Sequence, residues 1–252
     1  AHPKADFGIH ATLTSEWKSY RWRPVTPWDE VKGLLDAQVY LHRGVLQAAT
    51  SASAAEVETE LRAQVRRALD LGLKPTHLDT HMGTVYARPD FFAAYRKVAD
   101  EFGLPCMIPR PTPEDLAEMS PAMRLFAAQI GRTLFDTGDV TIDHLDGGYS
   151  GKGGMDDQKK YYADAIRKLK PGITQFIIHP AYDGDELSAI TGSHARRQRD
   201  FEVFTDPEIA KLIRDQGVRL INWGDIGRRQ GEFRKRRAAR SSTSKSEVTL
   251  FL

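Results

Sequence analysis

The segment Thr76-His77-Leu78-Asp79-Thr80-His81 concentrates groups that can bind a cation or move a proton. What its His-x-Asp-x-His spacing can do depends on the element that carries it. On a helix, His77 and His81 would stand about 6 Å apart and could chelate one ion together. On a strand, roughly 3.3 Å per residue puts their Cα atoms about 13 Å apart, too far to share an ion easily. Pro75 before the segment and Gly83 after it favour the strand. His77, Asp79 and His81 then share one face, with His81 at the C-terminal end, where parallel α/β sheets keep their active sites. A second imidazole must come from another strand. Residues 6–13 read as a strand with Asp6, Gly8, His10 and Thr12 on one face, which makes His10 the candidate. Polar side chains on a buried strand face each need a partner or an ion. For any single histidine, a hydrogen-bonded structural role is the alternative.

Other groups surround this centre. Trp17, Tyr20 and Trp22, with Arg21 and Arg23 between them, follow the His10 strand directly. Aromatic faces backed by polar groups suit a sugar ring, which stacks through its C–H faces while its hydroxyls hydrogen-bond. A Trp-rich loop packed under helices is the other reading. Arg110 either binds a polar or anionic substituent or makes an ordinary surface ion pair. His179 ends a strand and could transfer a proton, or simply hydrogen-bond to backbone.

The elements that must position these residues alternate. Strands are expected at residues 6–13, 76–80, 106–108, 140–144, 174–179 and 218–221. Helical periodicity covers residues 28–35, 55–71, 90–102, 156–169 and 207–215. Short apolar strands between helices argue a parallel sheet covered by helices, and a single barrel-like domain over residues 1–227 is the economical arrangement. The Gly-rich stretch from Gly147 to Gly154 lacks the order of a phosphate-binding motif and reads as a loop. Residues 228–245 hold eight basic side chains and one acid, so residues 228–252 read as a basic, Ser-rich tail on a mildly acidic body. That distribution is not the charged stripe of a nucleic-acid-binding domain. With 252 residues, 40% hydrophobic and 28% charged, the profile is that of a globular protein. No apolar run reaches the roughly 20 residues of a membrane span. A single cysteine, Cys106, rules out an intramolecular disulfide or a Cys-based zinc cluster. With no secretory leader visible, the expected location is cytoplasmic, and a homo-oligomer is left open.

The runs Gly8-Ile9-His10-Ala11-Thr12-Leu13-Thr14, His77-Leu78-Asp79-Thr80-His81 and Ile178-His179-Pro180 resemble the YdjC-like carbohydrate deacetylase family, of the chitooligosaccharide deacetylase type. The order and spacing match from near Asp6 to about Ile226. The resemblance implies an irregular (β/α) barrel and a divalent metal that serves to remove acetyl from N-acetylated sugars or oligosaccharides. It implies His10 and His81 as the metal-ligating imidazoles, with Asp79 orienting nearby groups and His77 deeper in the barrel. His179 would then protonate the leaving amine, while Trp17, Tyr20, Trp22 and Arg110 line the sugar site. Arg197-x-x-Asp200 resembles a further family feature, a salt-bridged brace behind the rim. Imidazole donors lean toward zinc, and the resemblance leaves magnesium open. In the family a preceding strand with an Asp-Asp pair supplies the third ligand and the base, and the present sequence starts after it. The expectation is therefore a deacetylase seen without its first strand unit, or a non-catalytic sugar-binding remnant. Another metal-dependent hydrolase, such as a phosphoesterase, would want more carboxylates or lysines at the site.

Overall fold

A computed structural model of the chain describes residues 5–244, with the backbone alone at residues 122, 129, 132, 133, 135, 136 and 237–244. Its elements in order are β1 (Gly8–Ala11), α1 (Val45–Ser51), α2 (Ala54–Asp70), β2 (His77–Thr80), α3 (Pro89–Glu101), α4 (Pro113–Glu118) and α5 (Pro121–Thr137). There follow β3 (His144–Asp146), α6 (Met155–Arg167), β4 (Thr174–Phe176), α7 (Asp185–Ile190), α8 (His194–Thr205), α9 (Pro207–Asp215) and α10 (Trp223–Ser244). Residues 28–35, expected to be helical, form two short 3-10 turns.

The protein is of the mixed α/β class. β1 pairs in parallel with β2, placing Gly8 opposite His77 and His10 opposite Asp79. β3 pairs in parallel with β4. Parallel bridges Leu78–Cys106 and Pro109–Ile142 connect the two pairs through residues 106–109. Among the described residues the strands close no barrel, and β1 has β2 as its only strand neighbour. The strand expected at 218–221 does not form. Leu220 and Ile221 are exposed, because an apolar run becomes a strand only where a neighbour completes its hydrogen bonds.

One face of the sheet is covered. Ile9, Ala11, Leu78, Cys106 and Ile108 pack on Val57, Leu61 and Val65 of α2 and on Phe91, Tyr95 and Val98 of α3. α2 starts sharply because Ser53 and Glu56 form a reciprocal capping box. A second cluster joins Phe176 and Ile178 to Tyr162, Ile166, Val203 and Ile209 on α6, α8 and α9. The alternation of the strands leaves Gly8, His10, His77 and Asp79 on the face away from α2 and α3. Gly8 is required there: a Cβ would lie 2.3 Å from His77 Nε2.

α10 runs through residue 228, where the basic tail was expected to begin. The Trp223 amide donates to Asp6 Oδ2 (2.6 Å), and Gln230 and Arg234 both donate to Asp139 Oδ1 (2.8 Å each). The last part of the tail, residues 245–252, lies outside the described residues. No helix among the described residues is long and apolar enough to cross a membrane.

Candidate active site

The end of the His10 strand is pinned from α2. Gln64 Oε1 accepts the Thr12 amide (3.0 Å) and Gln64 Nε2 donates to the Thr12 carbonyl (2.7 Å), so one side-chain amide does the work of a neighbouring strand. Glu60, fully buried one turn earlier, accepts the amides of Val25 and Thr26 (2.9 Å each) and Gln64 Nε2 (2.8 Å). That carboxylate ties the loop after β1 to the helix. An open cleft of about 370 Å³ lies in front, lined by His10, Thr12, Trp22, Arg23, Gln64 and His81 among others.

His81 does not continue the strand. It opens a 3-10 turn, His81–Tyr86, in which Met82 (φ 54°) and Gly83 (φ 65°) are left-handed. The change of direction brings its ring against His10: Nε2 of His10 and Nδ1 of His81 are 3.3 Å apart. Each outer nitrogen faces a carboxylate. His10 Nδ1 lies 2.8 Å from Asp79 Oδ1, and His81 Nε2 lies 2.8 Å from Glu16 Oε2. A carboxylate accepts, so a neutral ring that donates to it from the outer nitrogen keeps its lone pair on the inner one. Two lone pairs at this distance repel unless a proton or a metal ion stands between them.

Two nitrogens about 2.0–2.1 Å from one zinc, on adjacent tetrahedral positions, are separated by roughly 3.3 Å, so the pair fits half of a divalent site. Carboxylates on the outer nitrogens are also the usual support of histidine ligands. No three His, Cys, Asp or Glu side chains converge as a complete ligand set among the described residues.

His77 is not part of this group. Its buried ring stacks on Trp223 (4.6 Å, 11°) and meets Thr76 Oγ1 through Nδ1 (3.0 Å). Burial pushes its pKa down, against the pull of Asp79 and Asp6. The sequence placed His77, Asp79 and His81 on one strand face; the face ends at Thr80, and the turn redirects His81.

Trp22 packs edge-on against His81 (6.0 Å) and Trp17 (5.7 Å), and its Nε1 donates to the Thr14 carbonyl (2.8 Å). Tyr20 is exposed beside Trp17. Arg197 lies over the Trp17 ring (5.7 Å), linking the aromatic loop to α8. Arg110 is held by Asp143 (3.1 Å) and Thr141 (3.3 Å) as an exposed ion pair. His179 is exposed, and its amide donates to Asp200 Oδ2 (2.9 Å). Partial desolvation, then Arg197 and Arg196, hold its imidazole below the ordinary histidine range, and His10 adds to the effect. Asp200 makes no ion pair with Arg197. The brace consists instead of His179 N, Gln158 Nε2 (2.6 Å) and Tyr162 OH (2.8 Å) around one buried carboxylate.

Glu16, Glu60 and Gln64 were not singled out in the sequence. For Glu16 a signal existed: it is the first carboxylate after the His10 strand, at the strand end that carries the chemistry.

A profile of the YdjC-like protein family matches residues 1–215. The chain is 31% identical over 210 residues to a carbohydrate deacetylase of Thermus thermophilus, covering 82% of this chain and 73% of that one. It is 26% identical over 221 residues to a carbohydrate deacetylase of Thermoanaerobacter pseudethanolicus, covering 88% and 78%. Among solved structures, a protein of Enterococcus faecalis V583 named for cellobiose-phosphate cleavage superposes with a TM-score of 0.69 at 20% identity, covering 89% of this chain and 78% of that one. That likeness concerns the fold.

Proposed function

The chain belongs to the YdjC-like protein family, and from that premise we propose that it is a metal-dependent hydrolase that removes acetyl groups from N-acetylated sugars or oligosaccharides. The observation that carries the proposal is the 3.3 Å approach of His10 Nε2 and His81 Nδ1, each ring backed by a carboxylate on its other nitrogen. These two residues would hold the ion, with zinc favoured by the imidazole donors and magnesium the alternative. The strands then form part of the wall of an irregular (β/α) barrel. A bound divalent ion supplies polarisation of the amide carbonyl and a lowered pKa for water.

The chain's own residues do the rest. Asp79 keeps the hydrogen of His10 on Nδ1, so that Nε2 stays open. Desolvation, with Arg197 and Arg196 nearby, lowers the pKa of His179 and makes its protonated ring a readier donor. It would give a proton to the departing amine, which leaves badly as an anion. Asp200 fixes the backbone of His179 for that transfer. Trp17 and Tyr20 offer aromatic faces to the sugar, and Trp22 floors the site behind His81. Metal content after dialysis tests the ligand pair. His10→Ala and His81→Ala should each lose zinc; full retention in His10→Ala would remove that residue from the site.

A further inference from the structure

We propose that Glu16 is a positioning residue that aims His81 at the cation, an inference that rests on the metal site proposed above. His81 needs an external anchor. It sits outside the strand, on a 3-10 turn whose next two residues are left-handed, so no strand neighbour fixes its ring. Trp22 packs on the ring edge-on but offers it no acceptor, because an indole N–H can only donate and this one donates to the Thr14 carbonyl. Glu16 Oε2, 2.8 Å from Nε2, is the acceptor that selects one ring orientation. A half-turn of the ring about its Cβ–Cγ bond would break that bond and carry Nδ1 away from His10.

Glu16 is also well placed to hold. The His81 and Glu16 side chains are 19% and 29% exposed, whereas His10 on its Asp79 is 54% exposed. Solvent competes less for the Glu16 bond, so its loss should be felt more. The neighbouring Trp17 is wedged between Trp22 and Arg197, and the Arg197 guanidinium senses the Glu16 charge. The loop that carries Glu16 is thus held on both sides.

Zinc titrated against a chromophoric chelator, on the full chain and on Glu16→Ala and Glu16→Gln, separates orientation from charge. Loss of an outer partner of a ligating histidine typically weakens a metal 10–100-fold. Glu16→Ala should fall in the upper part of that range. Glu16→Gln keeps an acceptor oxygen and should recover most of the affinity, to within about threefold of the parent by the same comparison. The metal-free thermal midpoints should agree for all three proteins. Zinc binding by Glu16→Ala as tight as in the parent would overturn the proposal. So would an equal loss in both variants, which would mean that the charge acts directly on the ion. A parent chain that binds no zinc would instead defeat the metal site itself, and this inference with it.

Discussion

Replacing Asp200 by Asn exchanges one carboxylate oxygen for an amide at a place where every bond can be followed. Asp200 is 4% exposed and has three donors around it. Gln158 Nε2 and Tyr162 OH share Oδ1, while the His179 amide uses Oδ2. Asn has one acceptor oxygen. If it keeps the two donors on Oδ1, its NH₂ opposes the His179 N–H. If it serves His179, two buried donors lose their partner. The first arrangement is cheaper and still forfeits one bond to a charged acceptor, about 2 kcal/mol. For a chain of this size that is about 4–8 °C in melting temperature. Because the opposed donor is the backbone of the proposed proton carrier, turnover should fall tenfold or more, the scale on which small misplacements act. Bound zinc should not change. Urea unfolding should show a lower midpoint with an unchanged slope. Unfolding within about 0.5 kcal/mol of the parent, together with undiminished amine release, would refute the bracing role.

Three further outcomes follow from named contacts. His179→Ala should reduce turnover by about 10²–10⁴-fold while leaving metal content unchanged, since general acid–base help is worth that much. Gly8→Ala should cost about 1–3 kcal/mol in urea unfolding, because its Cβ would enter the His77 ring. The third is a pH dependence. His77 and His179 both bind protons less readily folded than unfolded, so the stability they leave intact above their ordinary value of 6.5 is lost as the pH falls through it. His77→Phe keeps the stack on Trp223 and should flatten that acid limb in urea melts at pH 7 and pH 5. An unchanged limb would show that His77 is not its source.

Much of the site could be read from alternation alone. Gly8 and His10 share a face, as do His77 and Asp79, because a two-residue period leaves no choice once the other face is apolar. The parallel pairing opposite Asp79 then follows from the covering helices. His81 shows where such reading stops. Gly83 signalled a strand end, but the left-handed Met82 that turns the imidazole onto His10 has no local signature. Glu16 escaped because its partner is 65 residues away, and only the turn at His81 brings them together. The run at 218–221 misled in the opposite direction. Its residues are apolar enough for a strand, yet pairing depends on what lies beside it. Asp200 was legible as a brace, but its partner was not. The family resemblance suggested Arg197, whereas burial selects neutral donors that can surround a carboxylate completely.

The most direct test is release of free amine from an N-acetylglucosamine oligomer, followed before and after removal of divalent metal by a chelator and again after zinc or magnesium is returned. Metal-dependent deacetylation predicts release that stops on chelation and resumes on reconstitution in the parent chain, and that His10→Ala does not recover. Release that persists undiminished in chelator, or its absence from the fully reconstituted chain, would contradict it.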